Sequence, residues 1–299
     1  TFMNCAPCGL LVSELSVPVP WGEIRGKIWG PHHGHPVLCL HGWADNCGSF
    51  NTLIPLLPKG NGRTQAFQKS KAYSLGCFKL QLFLCVRMEC MGEYSIVHHK
   101  SGGHVAGMFS ALYPEMVDAL IFLDCFWVLP TDSQTETPTM IRQGIEELVQ
   151  YEKKAKEKRV YTYEKAVERL LAANSSLSTA SVHILLERGL VQVENGFVFS
   201  RDLRVNFKNI VRLSLEQSLE MLSRIQASVL AVLAQDGCYK SLSEPSQNNF
   251  TSTLLQFLRD RNHTVVTVAG DHHTHLNTPE VVASLISEFL QKKKVPLST

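Results

Sequence analysis

Residues 94–112 read Tyr94-Ser95-Ile96-Val97-His98-His99-Lys100-Ser101-Gly102-Gly103-His104-Val105-Ala106-Gly107-Met108-Phe109-Ser110-Ala111-Leu112. The run from Tyr94 to Val97 is mostly apolar and short, as a buried strand is. A tight polar turn follows, then two glycines. An amphipathic helix begins there and ends before Pro114. Strand, sharp turn and helix form the setting of a nucleophile elbow, in which the pattern G-x-S-x-G lifts a serine oxygen above a parallel sheet. Here the first small position is His98 and the tip is Lys100. Ser101 falls one residue late.

The flanking stretches supply the rest of such a sheet. Leu10 to Ile28 reads as two strands around the turn Pro20-Trp21-Gly22, with Val17, Val19, Ile24 and Ile28 as the β-forming residues. Pro36-Val37-Leu38-Cys39-Leu40 is wholly apolar, which fits a strand covered on both faces. It runs into His41-Gly42-Trp43-Ala44-Asp45-Asn46, a turn at a strand's carboxyl end, where open α/β sheets bind ligands. Ala119 to Asp124, Ser228 to Leu233 and Thr264 to Val268 are further strands. Pro279 to Gln291 is a closing amphipathic helix.

In order and spacing, these stretches resemble the α/β-hydrolase fold and, more narrowly, the serine hydrolase-like proteins. The resemblance is carried by His41-Gly42-Trp43 with Asp45-Asn46, the elbow with Gly107-Met108-Phe109, and Tyr113-Pro114-Glu115-Met116-Val117-Asp118. It continues through Leu123-Asp124, Arg201-Asp202-x-Arg204 and Gly270-Asp271-His272, about four-fifths of the chain. It implies a mostly parallel sheet with a helical lid, the core being residues 1–130 and 223–299 and the lid 131–222. Within the lid, Ile141 to Lys156, Tyr163 to Ala173 and Val182 to Arg188 have helical periodicity.

Residues 59–93 depart from the pattern. The family carries there a buried strand, a Gly-His-Gly turn and a crossover helix, and none is legible. Leu80 to Val86 has strand character, but only Arg87 to Glu93 separates it from the elbow strand. Parallel neighbours need a crossover of about a dozen residues. One central strand is therefore expected to be missing or altered.

Acyl transfer requires a nucleophile, a base, an acid that orients the base, and oxyanion donors. The resemblance places the base at His272, with His273 and His275 as bystanders. Asp236, in Ala234-Gln235-Asp236-Gly237, is the expected acid from the chain order nucleophile, acid, histidine. Asp124 is the runner-up, since it also ends a strand. The oxyanion donors are the backbone N–H groups of Trp43 and Ser101. The nucleophile position holds Lys100, whose amine is cationic at neutral pH and would be trapped as an amide if acylated. Ser101 is the alternative nucleophile. A bulky ring at His98 is expected to disturb the close approach of strand and helix.

Composition excludes several other classes. The formal net charge is +2, from 29 basic and 27 acidic residues among 299, which gives no electrostatic case for nucleic acid. No apolar run reaches membrane-spanning length. Nine cysteines at irregular spacing do not make a disulfide framework and suit a reducing compartment. The groups His32/His33/His35, His98/His99/His104 and His272/His273/His275 match no compact metal-ligand motif, so neither metal nor cofactor is expected. Three functional readings follow: a degenerate serine hydrolase with weak or no activity, an esterase using Ser101, Asp236 and His272, or a module binding a small ester, an apolar ligand or a protein partner. The resemblance implies a cytoplasmic protein with perinuclear or peroxisome association.

Overall fold

The computed structural model describes residues 4–5, 11–19, 22–31, 35–58, 64–68, 93–99, 102–125, 137–153, 159–201, 213–238, 240 and 245–292. In chain order the strands are β1 (Asn4–Cys5), β2 (Leu11–Val19), β3 (Gly22–Trp29), β4 (Val37–Leu40), β5 (Thr64–Gln68), β6 (Tyr94–His99) and β7 (Val117–Leu123), with helix α1 (Gly102–Leu112) between the last two. Helices α2 (Thr137–Lys153), α3 (Tyr163–Ala173) and α4 (Thr179–Gly189) follow, then the hairpin β8 (Leu190–Val193) and β9 (Gly196–Phe199) and helix α5 (Leu215–Ser223). The chain closes with β10 (Ser228–Asp236), α6 (Pro245–Asp260), β11 (Thr264–Asp271), α7 (Thr274–Asn277) and α8 (Glu280–Lys292).

Nine strands form one sheet in the order β1-β2-β3-β5-β4-β6-β7-β10-β11. From β5 to β11 every neighbouring pair is parallel, while β1 to β3 form an antiparallel edge that joins β5. β4 pairs with β5 on one side and β6 on the other. The chain thus changes direction across the sheet at β4, and such switch points open a crevice at the carboxyl ends of the strands.

Two hydrophobic cores cover the two faces. One joins Leu38, Leu40, Tyr94, Ile96 and Leu120 of the sheet to Val105, Ala106 and Phe109 of α1, Leu222 of α5 and Leu254 and Leu258 of α6. The other joins Val37, Cys39, Val97, Ile121 and Val232 to Phe50, Leu53, and Val282, Ala283, Ile286 and Leu290 of α8. Alternate residues of β4 and β6 thus feed opposite cores, as side chains that alternate across a strand must. The burial of β4 and β6 along their whole length explains why they lack an apolar–polar alternation.

The strand between β3 and β4 is altered rather than absent. Thr64–Gln68 pairs with both neighbours, so the expected gap in the ladder is closed by a polar segment that lacks an apolar strand signature. Leu80 to Val86 lies outside the described residues. A second element that sequence reading passed over is the β8–β9 hairpin. Its signal is the pair Asn195-Gly196 between short apolar runs, and Gly196 has φ 140°, a conformation that favours glycine.

Between β7 and β10, α3 and α4 pack through Ala166, Val182, Leu185 and Leu186, with Leu177 between them and Leu276 of α7 against them. Thr162 and Ser178 cap the two helices by accepting hydrogen bonds from the N–H groups of Lys165 and Ser181. Helix α5 begins with a reciprocal Ser214–Gln217 capping box.

Candidate active site

The carboxyl ends of β4, β6, β7, β10 and β11 carry His41, His99, Asp124, Asp236 and Asp271-His272 respectively. At the end of β7, Asp124 has φ 42°, a left-handed conformation that aspartate adopts more readily than most residues. That twist aims its carboxylate across β10. Oδ1 accepts from the N–H of Ala234 at 2.9 Å, and Oδ2 accepts from the N–H of Cys238 at 2.8 Å. Gly237 permits the contact, because a Cβ there would stand 2.1 Å from Oδ1.

His272 Nδ1 lies 2.5 Å from Asp124 Oδ2, with side-chain exposures of 17% and 6%. Burial alone would raise the Asp124 pKa. The hydrogen bonds from His272 and from the Cys238 and Ala234 N–H groups, with the nearby imidazole charge, outweigh it and hold the carboxyl below its ordinary value. An ionised Asp124 accepts the Nδ1 proton, which leaves Nε2 of His272 as the basic nitrogen.

This corrects the expected pairing. The carboxylate beside His272 belongs to Asp124, and Asp236 bonds Lys240 Nζ at 2.7 Å with 67% of its side chain exposed. The cause is a break in register between Ala234 and Asp236 where β10 pairs with β11. It turns Asp236 outward. Both aspartates end strands and both precede His272 in the chain, so nothing local separates them.

The loop that presents His272 is tightly held. Gly270 has φ 120°, and Thr274 Oγ1 occupies the space a Cβ would need. Asp271 Oδ1 accepts from the His273 N–H at 2.6 Å, and Asn277 Nδ2 donates to Oδ2 at 2.9 Å. Asn277 also donates to the Ser176 carbonyl and accepts from Ser181 Oγ, which ties the loop to the start of α4. His273 pairs with Ser176 Oγ at 2.7 Å. His275 is buried, its ring centroid 4.1 Å from that of His99 and 5.8 Å from that of Phe50. Both histidines therefore have structural settings.

At the end of β4, the Asp45 N–H donates to the Gly42 carbonyl at 3.3 Å, closing a turn with Trp43 and Ala44 at its centre. Ala44 has φ 61° and the Trp43 side chain is exposed. Asn46 accepts from the Gly48 N–H and donates to the Leu185 carbonyl of α4, so this turn is also anchored to the helical segment.

β6 continues in register to its last residue, His98 opposite Leu40 and Phe122, and His99 opposite Leu123. The expected conflict at His98 is resolved by packing. Its ring is fully buried, edge-on to Phe122 with centroids 4.5 Å apart, and Nδ1 lies 3.2 Å from Cys125 Sγ. Gly103 makes the room, since a Cβ there would meet His98 Cε1 at 2.8 Å. Burial lowers the His98 pKa from 6.5 to about 3, so the ring is neutral. His99 Nε2 donates to the His272 carbonyl at 3.0 Å and brings the end of β6 against the histidine loop. Lys100 and Ser101, between β6 and α1, lie outside the described residues.

No family model matches the chain. A serine hydrolase-like protein from Danio rerio is 46% identical over 291 residues, covering 93% of this chain and 88% of the relative. The chain belongs to the serine hydrolase-like protein family. Within that family, serine hydrolase-like protein 2 of Homo sapiens is 36% identical over 304 residues, with 96% of both chains covered. Solved structures show that the serine hydrolase-like chain has the α/β-hydrolase fold. A hypothetical protein from Pseudomonas aeruginosa PAO1 superposes with a TM-score of 0.80 at 24% identity, covering 93% of this chain and 99% of the other. A thioesterase domain from the curacin biosynthetic pathway gives 0.73 at 19% identity, covering 94% and 99%. An esterase from Mycobacterium tuberculosis gives 0.67 at 17% identity, covering 94% and 92%. Among the described residues of this family member, no helix is long and apolar enough to cross a membrane.

Proposed function

We propose that this serine hydrolase-like protein keeps the acid–base pair of a carboxyl-ester hydrolase but has a degraded nucleophile position, so that ester hydrolysis is weak or absent. The supporting observation is the length of the elbow connection. β6 ends at His99 and α1 begins at Gly102, which leaves only Lys100 and Ser101 between them. In the pattern small-x-nucleophile-x-small, Gly102 takes the last position, Lys100 the nucleophile's and His98 the first. A lysine there has no hydroxyl for His272 to deprotonate, and acylation of its amine would yield a stable amide.

The rest of the machinery is assigned on this reading. His272 is the base through Nε2, Asp124 orients it, and the backbone N–H groups of Trp43 and Ser101 form the oxyanion hole. Residues 131–222 are the lid, and a small ester or apolar ligand binds beneath it without efficient turnover. The setting is cytoplasmic, in line with nine cysteines at irregular spacing in the sequence.

The short His272–Asp124 contact favours a second reading, an active esterase with Ser101 as nucleophile. A fluorophosphonate, which reacts only with an activated serine, separates the two. Wild type is expected to remain unlabelled, and Lys100→Ser to gain labelling that His272→Ala removes. Wild-type labelling mapped to Ser101 and abolished by His272→Ala would replace the first reading with the second.

A further inference from the structure

Three adjacent strands, β7, β10 and β11, each deliver one metal-ligand side chain to the same point: Asp124, Cys238 and His272. One donor atom from each lies within 4.8 Å of the other two. Among the described residues no other three such side chains meet this condition. We propose that Asp124, Cys238 and His272 form a binding site for a thiophilic divalent cation of the zinc or cadmium type.

The donor set selects that class. Thiolate, imidazole and carboxylate together suit zinc-like ions, whereas magnesium and calcium prefer oxygen ligands in larger number. Zinc bonds of about 2.0–2.3 Å place tetrahedral ligand atoms roughly 3.3–3.8 Å apart. The separations between donor atoms therefore need to change by only about 1.5 Å or less, the His272–Asp124 pair opening from 2.5 Å and the wider pairs closing from at most 4.8 Å. The carboxylate is already held by the N–H groups of Ala234 and Cys238, the fixing of a ligand by outer contacts that metal sites use. With three protein ligands, the fourth tetrahedral position is left to water.

Binding balances as follows. The cation takes Asp124 Oδ2, Cys238 Sγ and His272 Nδ1 in place of the shared Nδ1 proton. The Cys238 thiol loses its proton to solvent. His272 stays neutral by carrying its proton on Nε2 instead of Nδ1. One proton is released for each cation, and no electrons move. An Nε2 that carries a proton cannot accept one, so occupancy silences His272 as a base; this consequence alone rests on the function proposed above.

The test reads binding rather than hydrolysis. The reduced full chain is titrated with cadmium, following the ultraviolet thiolate-to-metal charge-transfer band and the heat of binding, in wild type, Cys238→Ser, His272→Ala and Cys5→Ser/Cys8→Ser, the last removing the Cys5-Ala6-Pro7-Cys8 pair, a rival thiol site in the sequence. The expected result is one cation per chain and one proton released. Affinity should fall by more than about 100-fold in the first two variants, above the range usual for loss of an outer contact. It should be unchanged in the third. Persistence of the band in Cys238→Ser, or its loss in Cys5→Ser/Cys8→Ser, would overturn the proposal. A second measurement needs no variant: zinc is expected to slow alkylation of Cys238 by iodoacetamide at least tenfold, read by peptide mass. An equal rate with and without zinc would also overturn it.

Discussion

His272 Nδ1 and Asp124 Oδ2 are 2.5 Å apart, joined across the end of β10 by residues from β7 and from the loop after β11. Asp124 serves two purposes. It accepts from two backbone N–H groups that would otherwise be left without it, and it fixes the tautomer of His272. On the function proposed above, structural and chemical roles fall to the same carboxylate, and substitutions there should be visible in stability as well as chemistry.

Asp124→Ala removes the acceptor used by the N–H groups of Ala234 and Cys238 and by His272. Leaving the two backbone donors unpaired costs about 1–3 kcal/mol each, so a total loss of roughly 2–6 kcal/mol is expected. Asp124→Asn keeps one carbonyl acceptor and tolerates the left-handed backbone, and should lose less. Urea unfolding of both variants measures this. Equal midpoints for wild type and Asp124→Ala would contradict the assignment.

Gly237→Ala places a Cβ 2.1 Å from Asp124 Oδ1, in a buried turn where the three nearest atoms all belong to that carboxylate. Overpacking of this kind costs about 1–3 kcal/mol. The loss should be accompanied by a weaker His272–Asp124 hydrogen bond. Proton NMR of the imidazole N–H resonance would report it as an upfield shift.

His98 and Gly103 should behave as a coupled pair. Gly103→Ala alone forces the fully buried ring of His98 aside. His98→Ala alone leaves a void against Phe122 and Cys125. Together they should destabilise less than their sum, with a coupling of about 0.5–3 kcal/mol in a double-mutant cycle. Strict additivity would mean that helix α1 does not rest on this ring.

The buried neutral state of His98 predicts acid sensitivity. Its pKa is about 3 in the folded protein against an ordinary 6.5, so below pH 6.5 the unfolded chain binds a proton that the folded chain does not. The stabilising contribution is full above pH 6.5 and is lost progressively as the pH falls toward 3, with a slope of at most about 1.4 kcal/mol per pH unit. Asp124 and Asp118, whose carboxyls are held below the ordinary 3.8, add losses only as the pH falls below about 3.8. Urea midpoints at pH 7, 6 and 5 should therefore decline, and His98→Phe should flatten that decline. An unchanged slope in the variant would show that another group is responsible.

The sequence by itself determined the family, the fold class and most of the sheet. Val37-Leu38-Cys39-Leu40, Ala119 to Leu123 and Ser228 to Leu233 are runs of apolar residues that have few other ways to be buried, and local pattern suffices to read them. It also determined that Lys100 and Ser101 are the two residues between β6 and α1, since covalent order needs no folding. Tertiary structure alone decided three matters. Thr64–Gln68 enters the sheet although its sequence is polar, because the backbone groups of β3 and β4 offer a ladder on both sides. His98 fits at the end of β6 because a glycine five residues later, on another element, lacks a Cβ. Asp124 rather than Asp236 meets His272 because a register break in β10 and a left-handed residue after β7 set the direction of two carboxylates that look alike in the chain. Each of these depends on where a side chain points relative to a distant strand, and that direction is set by packing and by the hydrogen bonds of the sheet.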